Sequence, residues 1–286
     1  IYSDNNGVGV NSHGINISGM SKTGINIRNN TMSGNRTSAV EIGTGAQVSL
    51  IVRGNTISGT TTVTPLTNGV TEMGIGVIQT AALTGSNSNI SQNTINMYGR
   101  AGIECRGCIG NGGVSGATSF RITSNYINQA GGPFTSDAGT TNTNETRDLA
   151  GIAVGNILAA GTPSGMVIDT NQIENLQQPN SASTVYTAFG IVSSGTSILN
   201  RLNIVTGCEV GIQVQQGAPG NEATSGDNYY GRDATATTTG FLANRNDITG
   251  NTVSGVRNQG TGVIQNFEGN WWGDATGPNV ASNTSP

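Results

Sequence analysis

The chain has 286 residues, only 10% of them charged, and 12 Lys+Arg stand against 16 Asp+Glu for a net charge of −4. That balance excludes a nucleic-acid binder, which needs a basic surface, and no run reaches the ~18 apolar residues of a membrane span. With 44 glycines and 35 asparagines, both poor helix formers, a helical bundle is disfavoured, and regular apolar spacing separates the chain from a disordered one.

The sequence opens on Ile1-Tyr2-Ser3 and runs straight into patterned sequence, with Gly7-Val8-Gly9-Val10 already at strand spacing. This reads as a processed product or a segment of something larger. From there one element recurs: an apolar residue, two free positions, Asn, one free position, an apolar residue. In chain order it reads Ile27..Asn30.Met32, Val52..Asn55.Ile57, Ile90..Asn93.Ile95, Ile122..Asn125.Ile127 and Ile168..Asn171.Ile173. A degenerate copy, Leu199..Leu202.Ile204, puts leucine in the asparagine slot; Asn246.Ile248 and Phe267..Asn270.Trp272 close the series.

A second element alternates with the first: a small residue, then apolar, any, apolar. Its copies begin at Gly24, Ala39, Gly74, Gly102, Gly151 and Gly211. Apolar residues two apart mark strands. Strands this short cannot stand alone, and a repeat of variable period with insertions is the pattern of a solenoid whose turns bury one another. Extra residues are expected to leave the stack between the same two elements. The asparagines are expected to take the left-handed conformation that the bend needs and to hydrogen-bond along the axis as a ladder. Ile57, Ile95, Ile127, Ile173, Ile204 and Ile248 should form one apolar column, and Val77, Cys105 and Val154 another.

These coils resemble those of right-handed parallel β-helix proteins, the pectate-lyase-like architecture, and the closing Asn270–Asn279 stretch, NWWGDATGPN, resembles the last coil of secreted bacterial surface proteins. The resemblance implies an all-β fold, a single right-handed parallel β-helix with long loop insertions. Residues 1–286 form one domain in this reading, with 271–286 as terminal coil and tail. It fixes no function, because the superfold hosts many.

The catalytic patterns of the related enzymes do not carry over. Polygalacturonase-like members use an aspartate cluster with Gly-His-Gly; here the single histidine sits in Ser12-His13-Gly14, and the eight aspartates are scattered. The Asp-Pro-His-Asp segment of epimerase-like members is missing. Two other groups are candidate ligand-binding residues. Glu41 and Glu104 should share an outward strand position two turns apart with Gly76 between, about 10 Å from each other, near the separation of an inverting glycosidase pair. Two solvated glutamates are the plainer reading, with Arg100 or Arg106 neutralising Glu104. The loop from Gln215 to Thr239 holds Asp227, Tyr229, Tyr230 and Arg232, whose flat rings and charges suit a sugar or protein contact; its tyrosines could equally pack on the coil. Trp272 takes an inward slot and suits a cap, while Trp271 alone could stack on sugar. Cys105 reads as a core residue, and Cys105–Cys108 spacing allows a local disulfide in an oxidising compartment.

No cofactor and no metal site is expected. The favoured function is an extracellular or cell-surface structural or adhesive module, a surface, stalk or filament subunit. Its expected partners are copies of itself or adjacent domains of a larger surface protein, with polysaccharide as a candidate ligand. The alternative is a carbohydrate-active enzyme, a polysaccharide lyase or glycoside hydrolase, with a non-standard site.

Overall fold

A computed structural model describes residues 2–4, 13–17, 22–35, 38–43, 47–59, 73–77, 83–84, 88–96, 98, 101–106, 108, 120–129, 148–155, 164–177, 187–214, 241–258, 265–274 and 277. These residues build a right-handed parallel β-helix. Every strand pair is parallel, and the described residues contain no helix. Three long sheets run along the stack. The leading sheet comprises Asn26–Arg28, Ile51–Arg53, Asn89–Ser91, Phe120–Thr123, Met166–Asp169, Leu199–Arg201 and Leu242–Asn244. The trailing sheet comprises Tyr2–Asp4, Thr31–Ser33, Thr56–Ser58, Thr94–Asn96, Tyr126–Asn128, Gln172–Glu174 and Ile204–Thr206. The long-strand sheet comprises His13–Ile17, Ser38–Ile42, Met73–Val77, Ala101–Arg106, Leu149–Gly155, Ala188–Ser193, Val210–Val214 and Ser254–Asn258. A short sheet, Lys22–Thr23, Gln47–Val48 and Leu83–Thr84, adds a fourth side to the early coils.

The corner between leading and trailing strands carries the asparagine ladder, and its chemistry is saturated. Asn55 Oδ1 accepts from both the backbone N and Nδ2 of Asn30, at 3.0 and 2.9 Å. Asn55 Nδ2 donates back to Ile27 O at 3.1 Å and onward to Asn93 Oδ1 at 2.9 Å. Both amide hydrogens and both lone pairs are thus used. The pattern continues through Asn93, Asn125 and Asn171 to Asn203, Asn246 and Asn270.

The ladder corrects two expectations. Its sixth rung is Asn203, not Leu202, so the buried column at that coil holds Val205, fully buried, while Ile204 is 42% exposed and points outward. The apolar slot before that rung is filled by Asn200, in register with Ile168. Nor do the asparagines take the left-handed conformation. The residue before each does: Asn29, Gly54, Gln92, Ser124, Thr170, Leu202, Arg245 and Gly269 all have φ between 54° and 70°. The first seven still donate from their backbone N–H groups to the next coil, for instance Gln92 N to Thr123 O at 3.2 Å. A non-glycine residue there costs about 1–2 kcal/mol, which the ladder on one side and the strands on the other offset.

Insertion sites also differ from expectation. The asparagine corner never varies, whereas variable segments fall both before and after the long strand. Gly24-Ile25-Asn26-Ile27 belongs to the leading sheet; the long strand of that coil is His13–Ile17. The expected strand spacing at Gly7-Val8-Gly9-Val10 lies outside the described residues.

The core is one continuous column system. Met32, Ile57, Ile95, Ile127, Ile173, Val205 and Ile248 stack behind the trailing strands, and Val77, Cys105 and Val154 are in register in the long-strand sheet. The small residue that opens each long strand has a packing cause. A Cβ on Gly102 would lie 2.7 Å from Ile127 Cγ2 and 2.8 Å from Gly151 O, and Gly74, Gly151, Gly190 and Gly211 meet the same pair of obstacles. The glycines let the long-strand backbone approach the isoleucine column.

Two stability outcomes follow. Asn125→Ala leaves the Asn93 backbone N–H and one of the two Asn93 amide hydrogens without acceptors in a buried position, and should cost roughly 2–6 kcal/mol at about 1–3 kcal/mol per orphaned group. Urea titration checks this, and a loss under 0.5 kcal/mol would mean that the ladder does not hold the coil. Gly102→Ala should cost about 1–3 kcal/mol by overpacking; an unchanged midpoint would show that the sheet can step back.

Candidate functional site

The outer face of the long-strand sheet is the first place to look, because the two glutamates picked from the sequence lie there. Cross-strand register aligns Asn16, Glu41, Gly76, Glu104, Ala153, Val192, Gln213 and Arg257 in one column. Glu41 and Glu104 therefore sit two rungs apart across Gly76, as expected. A neighbouring column runs His13, Ser38, Met73, Ala101, Ala150, Phe189 and Val210.

From Met73 to Val214 this face is not solvated. Met73, Ala101, Ala150, Ala153, Phe189, Val192 and Val210 form a second apolar cluster. The sheet is packed on both sides, which explains why its strands are nearly continuous in Val, Ile, Ala and Gly. Glu104 is completely buried, and its Oε1 is engaged by Nε of the buried Arg106. The expectation of two solvated glutamates is therefore wrong for Glu104, whereas neutralisation by Arg106 holds. Arg100 lies outside the described residues. A fully buried carboxylate clamped in this way cannot reach a glycosidic oxygen, so the pair has the spacing of an inverting site without its access.

Glu41 belongs to a different cluster. His13 Nδ1 lies 2.7 Å from Ser38 Oγ and 3.3 Å from Glu41 Oε2, and Ser38 Oγ donates to Glu41 Oε2 at 3.2 Å. The residue types are those of a nucleophile, a base and an acid. The geometry is not, because serine and glutamate share one ring nitrogen, leaving no relay through the imidazole. Ser38 is also fully buried. The cluster works as a polar bridge between neighbouring coils.

The leading sheet presents a polar face, exposed at Arg28 and Arg53 and half-buried or buried beyond them. Its outward column reads Arg28, Arg53, Ser91, Thr123, Asp169, Arg201 and Asn244. Asp169 Oδ2 accepts from Arg121 Nη2 at 2.6 Å and lies 3.5 Å from Arg201 Nη2. Beside it Thr170 Oγ1 sits 2.9 Å from Thr123 Oγ1 and 3.0 Å from Ser124 Oγ. Sequence reading missed this network, although the phased repeat already places Arg121 and Asp169 on neighbouring rungs.

Asp227, Tyr229, Tyr230 and Arg232 lie outside the described residues. Trp272 packs on the core and against Gly255, as its inward slot implied, and Trp271 is 50% exposed. Among the described residues no three His, Cys, Asp or Glu side chains gather in a metal-binding cluster, and no helix is long and apolar enough to cross a membrane. Compared with family models, curated proteins and solved structures, the chain matches none of them.

The cysteines are core residues. Cys105, Cys108 and Cys208 are free thiols and all buried, so the allowed Cys105–Cys108 disulfide is not formed. Cys108 Sγ lies 3.8 Å from Arg106 O. Burial, with help from Cys108, pushes the Cys105 thiol well up, and burial lifts Cys208 to about 12. Thiolate is the reactive form, so Cys105 and Cys208 should not react with a disulfide reagent at pH 8 in the native protein, Cys108 is shielded by burial, and all three should react in denaturant. Fast native labelling would show that these coils open. An unfolded thiol titrates near 8.5. The contribution of Cys208 to stability is therefore complete below about pH 8.5 and falls as pH rises toward about 12.

Proposed function

We propose that the chain is a structural or adhesive module of an extracellular or cell-surface protein, a rigid β-helical spacer whose outer faces and insertions make contacts. The observation that carries this reading is the eight-member ladder from Asn30 to Asn270, in which consecutive side chains hydrogen-bond without a break. Such a stack is a stiff support whose length is set by the number of rungs, at about 4.8 Å each. The closing Asn-Trp-Trp-Gly-Asp segment, similar to the last coil of secreted bacterial surface proteins, and the single lysine, Lys22, support an extracellular setting. Copies of the same chain or adjacent domains of a larger surface protein fit the ends of a parallel stack, where strand edges invite further strands.

The second reading, a carbohydrate-active enzyme, rests on Glu41 alone, a partly accessible carboxylate that accepts from Ser38 and lies beside His13, because Glu104 is buried. Incubation with uronate and neutral polymers, followed by ultraviolet absorbance of unsaturated products and by reducing-end release, separates the two. The module reading expects no turnover together with retention on at least one polymer or on a bacterial surface. Turnover that is lost in Glu41→Gln would replace it with the enzyme.

A further inference from the structure

We propose that Arg28 and Arg53, on consecutive rungs of the leading sheet, form an oxyanion site for an acidic polysaccharide, with one sulfate ester or uronate carboxylate lying across both guanidinium groups. The proposal deepens the adhesive reading and rests on it.

The two arginines are direct cross-strand partners, Arg28 opposite Arg53, and so stand about 4.8 Å apart along the stack. Both are exposed, outward neighbours of the buried Ile27 and Val52. Like charges opposite one another in a sheet repel. No described residue relieves that repulsion. Among the described residues no carboxylate lies within ion-pair distance of Arg28 or Arg53.

The same face shows what internal compensation looks like. Four coils further along, Asp169 bridges Arg121 and Arg201. The chain has 16 acidic residues for 12 basic ones, so carboxylates are not scarce, and none of the described ones is paired with Arg28 or Arg53.

The surroundings define the ligand class. Gln92 Oε1 accepts from Arg53 Nε at 2.8 Å, which fixes the guanidinium and leaves its terminal nitrogens to donate outward. Guanidinium forks suit planar or tetrahedral oxyanions held by two donors. Asn26, Asn29 and Gln92 are exposed around the pair, and their amides suit sugar hydroxyls. The described floor is the outward face of a parallel sheet, along which an extended polymer can lie. A polymer carrying both hydroxyls and oxyanions fits this combination.

The test is retention and affinity of the full chain on three probes: a sulfated polysaccharide, polygalacturonate and neutral dextran. Binding to at least one acidic polymer, weakened by salt as for exposed charges, is expected, with the preferred polymer identifying the oxyanion. R28Q/R53Q should weaken it at least tenfold, and R28K/R53K should restore only part, because the charge returns without the fork. Arg121→Gln, which sits in the Asp169 network, should bind as the native chain does. The outward side chains of Arg28 and Arg53 leave the core untouched, and an unchanged melting temperature confirms that the variants are folded. Native-like binding by R28Q/R53Q overturns the site while leaving the adhesive reading standing. Binding to neither acidic polymer overturns the proposal outright, and retention on dextran or a cell surface then decides the adhesive reading separately.

Discussion

The asparagine ladder is the interaction on which the rest of this structure depends. Each rung binds its neighbours through three kinds of bond: amide to amide, backbone N–H to amide oxygen, and amide to backbone carbonyl. Singly, a neutral hydrogen bond contributes about 0.5–1.5 kcal/mol net. In a buried chain the bonds polarise one another, and an interrupted rung leaves several groups unsatisfied at once. The ladder therefore fixes register. Once Asn93 is bonded to Asn55 and Asn125, the strands on either side have no freedom to slip by one residue, which would turn every core side chain outward. Intervals between rungs can range from 24 to 46 residues because lengthening a loop adds closure entropy only logarithmically.

A second constraint acts across the coil. The glycine column of the long-strand sheet admits the isoleucine column of the trailing strands, and the two determine each other: where Ile173 Cγ2 lies, Gly151 has no room for a Cβ. This explains why a sheet with both faces buried keeps glycine at one position of successive strands despite its entropic cost. It also explains why the outer face of that sheet became a second apolar cluster. In its middle coils one side is closed by the core and the other is covered, so outward positions there are governed by packing; of the polar residues on this face, Ser38, Glu41 and Glu104 are tied to His13 and Arg106.

Much of this was legible in the sequence, because the ladder has a spelling: apolar, two free, Asn, one free, apolar. The misreadings have physical causes. The Arg201-Leu202-Asn203-Ile204-Val205 stretch offers two phases, and the one with more apolar residues in slots looks better. The structure takes the other because a ladder position cannot be left without an amide, whereas an apolar slot can hold Asn200 if a hydrogen bond is available, here 2.6 Å from Asn203 Nδ2 to Asn200 Oδ1. The cost appears as exposed Leu202 and Ile204. The left-handed residue was misplaced by one for a related reason: asparagine tolerates that conformation, so its presence at a bend looked like the cause of the bend. Its actual role is hydrogen bonding, and residues as unsuited as Thr170 accept the left-handed angle beside it. Burial of Glu104 was illegible, since strand alternation reports which way a side chain points but not whether anything covers that side.

This division of labour bears on where recognition can reside. Interior positions are committed to the ladder and the glycine–isoleucine contact, and the outer face of the long-strand sheet is committed to burial. The leading sheet is different. Its inner residues complete the core, but its outward column opens on two exposed arginines, Arg28 and Arg53, residue types that stacking does not require, ahead of a buried Ser91, a half-buried Thr123 and the Asp169 network. Polar side chains on consecutive rungs form a ruled surface with one spacing along the axis, about 4.8 Å per step. A ligand meeting that surface encounters groups at fixed separations on a backbone that the ladder prevents from adjusting. Rigidity of this kind removes the ordering cost that a flexible loop would add on binding. The same interaction that holds the coils in register thus holds Arg28 and Arg53 at a fixed separation, which is the feature the proposed polymer site draws on.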